Sequence, residues 1–137
     1  MQPINKRKKP FYVERGDIYL TDFGNEADVT GSEQFGVRPV CCTQSDFLNR
    51  RSPTVIVAII TSELKKVNLD THILIPPQRG LPRQSMLCAE QRFTIDKQRL
   101  LKYCCTLPPE VMEDVTRACH RPEEAEKKRR KFKSRRG

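Results

Sequence analysis

The alternation of apolar and polar positions sets the first elements. From Asp17 to Phe23, Ile18, Leu20 and aromatic residues are interleaved with polar ones, the pattern of a half-buried strand. Gly24 to Gly36 is polar, bounded by glycines and without a core pattern, so it reads as a loop of the length that usually serves function or stays mobile. Val37 to Thr43 is a second strand, with Pro39 near its start, where a missing N–H is tolerable. Asp46 to Pro53 is a polar connection. Thr54 to Ile60 is an unbroken β-branched apolar run, which predicts a strand buried on both faces. Thr71 to Ile75 is a short strand stopped by Pro76 and Pro77, and Gln84 to Ala89 and Arg92 to Ile95 are two more. Leu107-Pro108-Pro109-Glu110 then opens a helix: proline suits a first turn, and Glu110 suits the positive end of the helix dipole. Val111, Met112, Val115 and Ala118 make one apolar stripe that faces the core, and Pro122 ends the helix. Glu123 to Arg136 can form a second helix, acidic at its start and basic at its end, with almost no apolar face. There is no internal repeat. The fold class is mainly β (α+β): a small β-barrel closed by a C-terminal helix.

Charge divides the chain further. The net charge of the 137 residues is +9. Residues 1–9 hold four Lys/Arg and no acid, and residues 121–137 hold nine Lys/Arg and three Glu. The stretch between them is nearly neutral. The predicted organisation is a basic flexible arm (1–10), one domain (11–120) and a basic tail (121–137). Such tails favour polyanions through counterion release without choosing a sequence, and a solvated end is the alternative reading. No run approaches the ~18 apolar residues of a membrane span. The N-terminus is basic but lacks the apolar stretch of a secretory signal, so a cytoplasmic location is expected. Six cysteines, Cys41, Cys42, Cys88, Cys104, Cys105 and Cys119, form no C-x-x-C pair. Cys41 and Cys42 are strand neighbours and point to opposite faces. Buried, reduced thiols acting as small hydrophobes are the expectation.

Most catalytic constellations are absent. His72 and His120 are the two histidines. His72 lies among strand residues and His120 at a helix end, a poor basis for a paired acid/base site. Neither a Ser-His-Asp nor a Cys-His site has a supporting motif, the glycines never assemble a phosphate loop, and no carboxylate cluster suggests two-metal catalysis. What remains is Arg38, Thr61, the loop set Ser32-Glu33-Gln34, and Glu90-Gln91. An arginine can hold a phosphate bidentately and stabilise developing charge. A threonine hydroxyl can donate to or accept from a phosphate oxygen. Together they suit phosphodiester chemistry whose nucleophile is the substrate's own, as the RNA 2′-hydroxyl is. The bland alternatives stay open at this level: a surface ion pair for the arginine and β-propensity for the threonine.

The motifs GSEQFGVRP, SPTVIVAIITS and AEQRFTIDKQRL, in that order after RGDIYLTDF, resemble the MazF/PemK toxins of bacterial toxin–antitoxin systems over about Arg15 to Thr116. The resemblance implies an SH3-like β-barrel of the CcdB/MazF/Kid type, with a C-terminal helix, forming a two-fold homodimer. It implies a sequence-specific endoribonuclease for single-stranded RNA, needing neither metal nor other cofactor, that leaves 2′,3′-cyclic phosphate and 5′-hydroxyl ends. It also implies a cognate antitoxin whose flexible acidic segment lies across the dimer groove. Carried over by position, Arg38 stabilises the pentacovalent phosphate and can relay a proton. Thr61 bonds the phosphate and assists proton transfer. Ser32, Glu33 and Gln34 contact RNA, with Glu33 joining the proton transfer in some members. Gln91 faces the RNA groove, and Gly31 and Gly36 let the loop hinge.

Three features depart from the family pattern. The loop before GSEQ is longer and carries Glu26 and Asp28, which bears on the choice of cleavage site. EQRFT stands where many members read EQIRT, so the basic side chain changes strand face at Arg92. Phe93 takes its place, for base stacking or for the core. The arm and the tail lie outside the resemblance and are expected to strengthen RNA or ribosome binding. Other proteins on such a barrel cut nothing: a gyrase-poisoning toxin, or a ribosome-associated binding module. The presence of both Arg38 and Thr61 argues against these alternatives.

Overall fold

The structure is a computed structural model, and it describes residues 12–24 and 36–120. Six strands form one antiparallel sheet: β1 (Asp17–Asp22), β2 (Val37–Cys42), β3 (Thr54–Thr61), β4 (His72–Ile75), β5 (Ser85–Asp96) and β6 (Leu100–Thr106). Their order is β4-β5-β3-β2-β1-β6. A short helix α1 (Asp46–Asn49) follows β2, and α2 (Pro109–Cys119) closes the described chain. Among the described residues no helix is long and apolar enough to cross a membrane.

The β-branched run does become the central strand. β3 pairs with β2 on one edge and β5 on the other. Its alternation splits the core in two. Ala58 and Ile60 join Ile18, Cys41, Leu87 and Ala89 beneath the α2 residues Met112, Val115 and Ala118. Val55, Val57 and Ile59 turn to the opposite face and pack with Tyr19, Val40, Cys42 and Ile95. Helix α2 starts as its prolines predict: Pro109 stands in the first turn, and the N–H groups of Val111 and Met112 donate to Pro108 O at 3.0 and 3.1 Å. It reaches its C-cap at His120.

The hydrogen-bonded sheet does not close into a full barrel, since its edge strands β4 and β6 are not paired with each other. It curls instead until the turn after β4 meets β6. A Cβ built on Gly80 would lie 2.0 Å from the backbone oxygen of Cys104, and the φ of Gly80 is +88°. Leu81 and Ile75 accordingly share a core with Cys104 and Cys105. Closure is thus achieved by backbone contact at one glycine.

Three local differences from the pattern have physical causes. The segments 84–89 and 92–95 are one strand, β5, bulged where Ala89, Glu90 and Gln91 have no partner on β3 between the pairs Ile59–Cys88 and Ala58–Arg92. Strand β6 was not foreseen: its pairing with β1 shifts register twice, which erases alternation. The 46–53 connection contains α1, whose first turn is capped by Ser45 Oγ accepting from the Leu48 N–H. Buried Asn49 holds this turn in place. Its Nδ2 donates to Gln44 O at 3.0 Å, and its Oδ1 accepts from Gln44 Nε2 at 2.9 Å. The Lys97 ammonium donates to its carbonyl.

All six cysteines are buried free thiols. Burial raises each of them; Cys42, Cys88 and Cys105 are pushed up to about 11. They act as small apolar residues.

Two outcomes are expected. Gly80→Ala should destabilise the fold by about 3 kcal/mol or more, because it adds left-handed strain to a backbone clash, and urea unfolding would measure it. The second concerns pH. A group whose pKa is raised in the folded state stabilises fully below its unfolded value, ~8.5 for a thiol, and loses that contribution as pH climbs through the folded value. The urea midpoint should therefore fall between pH 8.5 and 11, the upper limit being the folded value of Cys42, Cys88 and Cys105. A midpoint flat across that window would contradict the burial of these thiols.

Candidate active site

Proline opens the site. On its β1 side, β2 pairs from Val37 to Cys41, with Arg38 opposite Thr21 and Pro39 opposite Leu20. On its β3 side the ladder covers only Val40–Ile59, Cys41–Ala58 and Cys42–Val57. It stops beside Pro39, which has no N–H to donate. Continued by two residues, the same register would set Arg38 across from Thr61. The two strand ends are therefore neighbours whose backbones need not pair with each other.

Arg38 and Thr61 stand where two hollows meet. One, of about 460 Å³, is also lined by Glu63, Lys65, Lys66, His72, Glu90 and Gln91. The other, of about 490 Å³, is also lined by Val37, Pro82, Arg83 and Ser85. Arg38, Ile60, Thr61 and Glu63 belong to both. Four basic side chains, Arg38, Lys65, Lys66 and Arg83, face two acidic ones, Glu63 and Glu90, across these walls, a balance that favours an anion. Thr61 Oγ1 accepts the Glu63 N–H at 3.0 Å. That bond engages a lone pair and leaves the hydroxyl proton to be donated elsewhere.

The far wall is built by the two-residue period of β5. Leu87 and Ala89 enter the core, while Met86, Cys88 and Glu90 face the hollow. The bulge at 89–91 turns Gln91 toward it as well. Across the ladder, His72 pairs with Cys88. Its imidazole Nδ1 lies 2.9 Å from Lys66 O and its Nε2 2.8 Å from Glu90 Oε2. A carbonyl can only accept, so Nδ1 donates to it, and Nε2 is left facing the Glu90 carboxylate. Burial pushes the Glu90 carboxyl up, but hydrogen bonds from His72 and Thr71 outweigh it and hold the group below its ordinary value.

Of the residues singled out in the sequence, Arg38, Thr61, Glu90 and Gln91 come together here. Ser32, Glu33, Gln34 and Gly31 lie outside the described residues, as do Glu26 and Asp28 and the two charged ends. Gly36 has a φ of +79°, a left-handed conformation that its lack of a side chain permits. Arg92 and Phe93 serve structure. Arg92 Nη2 donates to Cys119 O at 2.9 Å and so satisfies a carbonyl at the C-terminal end of α2. Phe93 packs edge-on against Phe23, with ring centroids 5.5 Å apart. Sequence reasoning passed over Lys65, Lys66 and Arg83, and it set His72 aside. The basic pair Lys65-Lys66, separated from ITS by two residues, was a usable signal. The His72–Glu90 pair was not, since it depends on β4–β5 register.

Residues 14–121 match the family model described as a PemK-like, MazF-like toxin of type II toxin–antitoxin systems. The chain belongs to this family of toxins. Among curated proteins it is 48% identical over 107 residues to Endoribonuclease EndoA of Bacillus subtilis, an alignment covering 77% of this chain and 90% of that one. Solved structures repeat the fold. MazF from Deinococcus radiodurans superposes with a TM-score of 0.65 at 18% identity, covering 79% of this chain and 93% of its own. A mycobacterial endoribonuclease in complex with its cognate antitoxin gives 0.63 at 20% identity, covering 78% and 90%.

Proposed function

We propose that this toxin is a metal-independent endoribonuclease that cuts single-stranded RNA at a defined sequence. It acts in the cytoplasm as a homodimer and is neutralised by a cognate antitoxin. The observation that carries this reading is the meeting of Arg38 and Thr61 at the junction of two basic-lined hollows.

In the proposed reaction the RNA supplies its own nucleophile. The 2′-oxygen attacks the adjacent phosphorus and loses its proton. The bond from phosphorus to the 5′-oxygen breaks, and that oxygen takes up a proton. The products are a 2′,3′-cyclic phosphate and a 5′-hydroxyl. The Arg38 guanidinium offers a planar fork to the non-bridging oxygens as charge builds on them. Thr61, its lone pair engaged by the Glu63 N–H, donates to the same phosphate. Glu33 takes part in proton transfer. Ser32, Gln34 and Gln91 bind the flanking nucleotides, and Lys65, Lys66 and Arg83 carry the backbone to and from the centre. Residues 11–120 form the catalytic unit, and the arm (1–10) and tail (121–137) add affinity without sequence choice.

Two experiments bear on this. A long, weakly structured RNA is incubated with the protein in EDTA, and the new 5′ ends are sequenced. The parent should cut at one short recurring motif, while Arg38→Ala and Thr61→Ala, folded by circular dichroism, should lose on the order of 100-fold in rate or more. RNA that is bound but left whole would make the barrel a non-cleaving binder, the gyrase-poison-like or ribosome-associated alternative. Deleting 121–137 should flatten the salt dependence of RNA affinity while leaving the cleavage motif unchanged; an unaltered slope would remove the tail from the binding surface.

A further inference from the structure

The β4–β5 wall of the hollow holds a donor set that the ribonuclease reaction does not use. His72 and Cys88 are direct cross-strand partners, and Glu90 follows two residues later on the same face of β5. One donor atom from each, the His72 nitrogen, the Cys88 sulfur and a Glu90 oxygen, lies within 4.8 Å of the other two. We propose that His72, Cys88 and Glu90 bind a divalent, thiol-seeking cation, Zn2+, with three protein ligands and a fourth position open to the Arg38–Thr61 hollow.

Four observations converge. The donors, a thiolate, an imidazole and a carboxylate, are the ones Zn2+ takes, and hard cations such as Mg2+ would not choose a buried sulfur. A tetrahedral ion with bonds of about 2.0 to 2.3 Å holds its ligand atoms roughly 3.3 to 3.8 Å apart, so an adjustment of about 1 Å from the present arrangement suffices. The imidazole is already oriented. Nδ1 donates to Lys66 O at 2.9 Å, which leaves Nε2 as the ligating atom, and metal-bound histidines are commonly fixed by such a carbonyl. The His72 side chain is only 7% exposed, so little ordering remains to be done.

Coordination is balanced in charge. The ion replaces the proton on Cys88 Sγ, which goes to solvent, and takes the lone pair of His72 Nε2. Two anionic ligands then offset the two positive charges of the ion. The His72–Glu90 contact of 2.8 Å is exchanged for two bonds to one metal. Because Glu90 and Cys88 line the same hollow as Arg38 and Thr61, a bound ion stands in that hollow and competes with RNA for it. Only this last consequence rests on the ribonuclease reading.

The test is a cobalt titration of the full chain, freed of metal with EDTA, exchanged into chelator-free buffer and kept under a non-thiol reductant. Co2+ should produce a thiolate-to-metal charge-transfer band in the near ultraviolet together with the visible bands of a tetrahedral site. An equivalent of Zn2+ should bleach both. Cys88→Ser should abolish the charge-transfer band. Glu90→Gln, at a surface position that should tolerate the change, should weaken binding by about ten-fold or more. Cys119→Ser should titrate like the parent. Absence of the band in the folded parent, or its persistence in Cys88→Ser, would overturn the proposal. So would an unchanged titration of Glu90→Gln. No RNA enters the measurement, and Arg38→Ala should titrate normally, so failure of the metal site and failure of the ribonuclease reading are told apart.

Discussion

The rest of the structure depends on strand β3. It is hydrogen-bonded along both edges and buried on both faces, so it belongs to both cores at once. Between Thr54, its first residue, and Thr61, its last, the strand has no polar side chain to satisfy. One face brings α2 onto the sheet, and the other gathers the aromatic and aliphatic residues of β1, β2 and β5. The position of Thr61 is therefore fixed by the burial of five residues before it, Val55, Val57, Ala58, Ile59 and Ile60. A site at the end of such a strand inherits the rigidity of the core without being inside it.

The site itself arises where pairing stops. Pro39 cannot donate, the β2–β3 ladder ends beside it, and Arg38 and Thr61 line the same two hollows at the end of β3. A three-residue bulge in β5 does the corresponding work on the opposite wall, aiming Glu90 and Gln91 at the same hollow. Neither device needs a histidine base or a metal. Both use interruptions of a sheet that is otherwise continuous, and the cost of each is contained because β3 is anchored on two sides. The closing glycine, Gly80, is a different device: one position where backbone meets backbone, between the turn after β4 and strand β6.

What could be read in the chain follows from these constraints. The long apolar run, the alternation of β1 and the Pro-Pro-Glu start of α2 were legible because each is a local pattern with one stable outcome. Arg38 and Thr61 were visible as polar residues out of keeping with their strands, but their proximity was not, since it depends on the β2–β3 register. β5 read as two strands because the exposed Glu90-Gln91 looks like a turn; only a ladder on both sides identifies it as a bulge. β6 was illegible because two register shifts remove its period. Asp46–Asn49 is too short for a helical stripe, and its cap shows only in the bond from the Leu48 N–H to Ser45 Oγ. The His72–Glu90 pair joins residues eighteen apart, and nothing in either segment announces the other.

The central claim is that Arg38 and Thr61 act on one phosphate as a unit. The most direct measurement is a double-mutant cycle on the rate of RNA cleavage, using Arg38→Ala, Thr61→Ala and the pair. Groups that hold the same phosphate lose most of their joint effect when either is removed, so the double variant should be little slower than the worse single one. Losses that multiply in full would mean that the two residues act independently and that the junction between the hollows is not one catalytic centre.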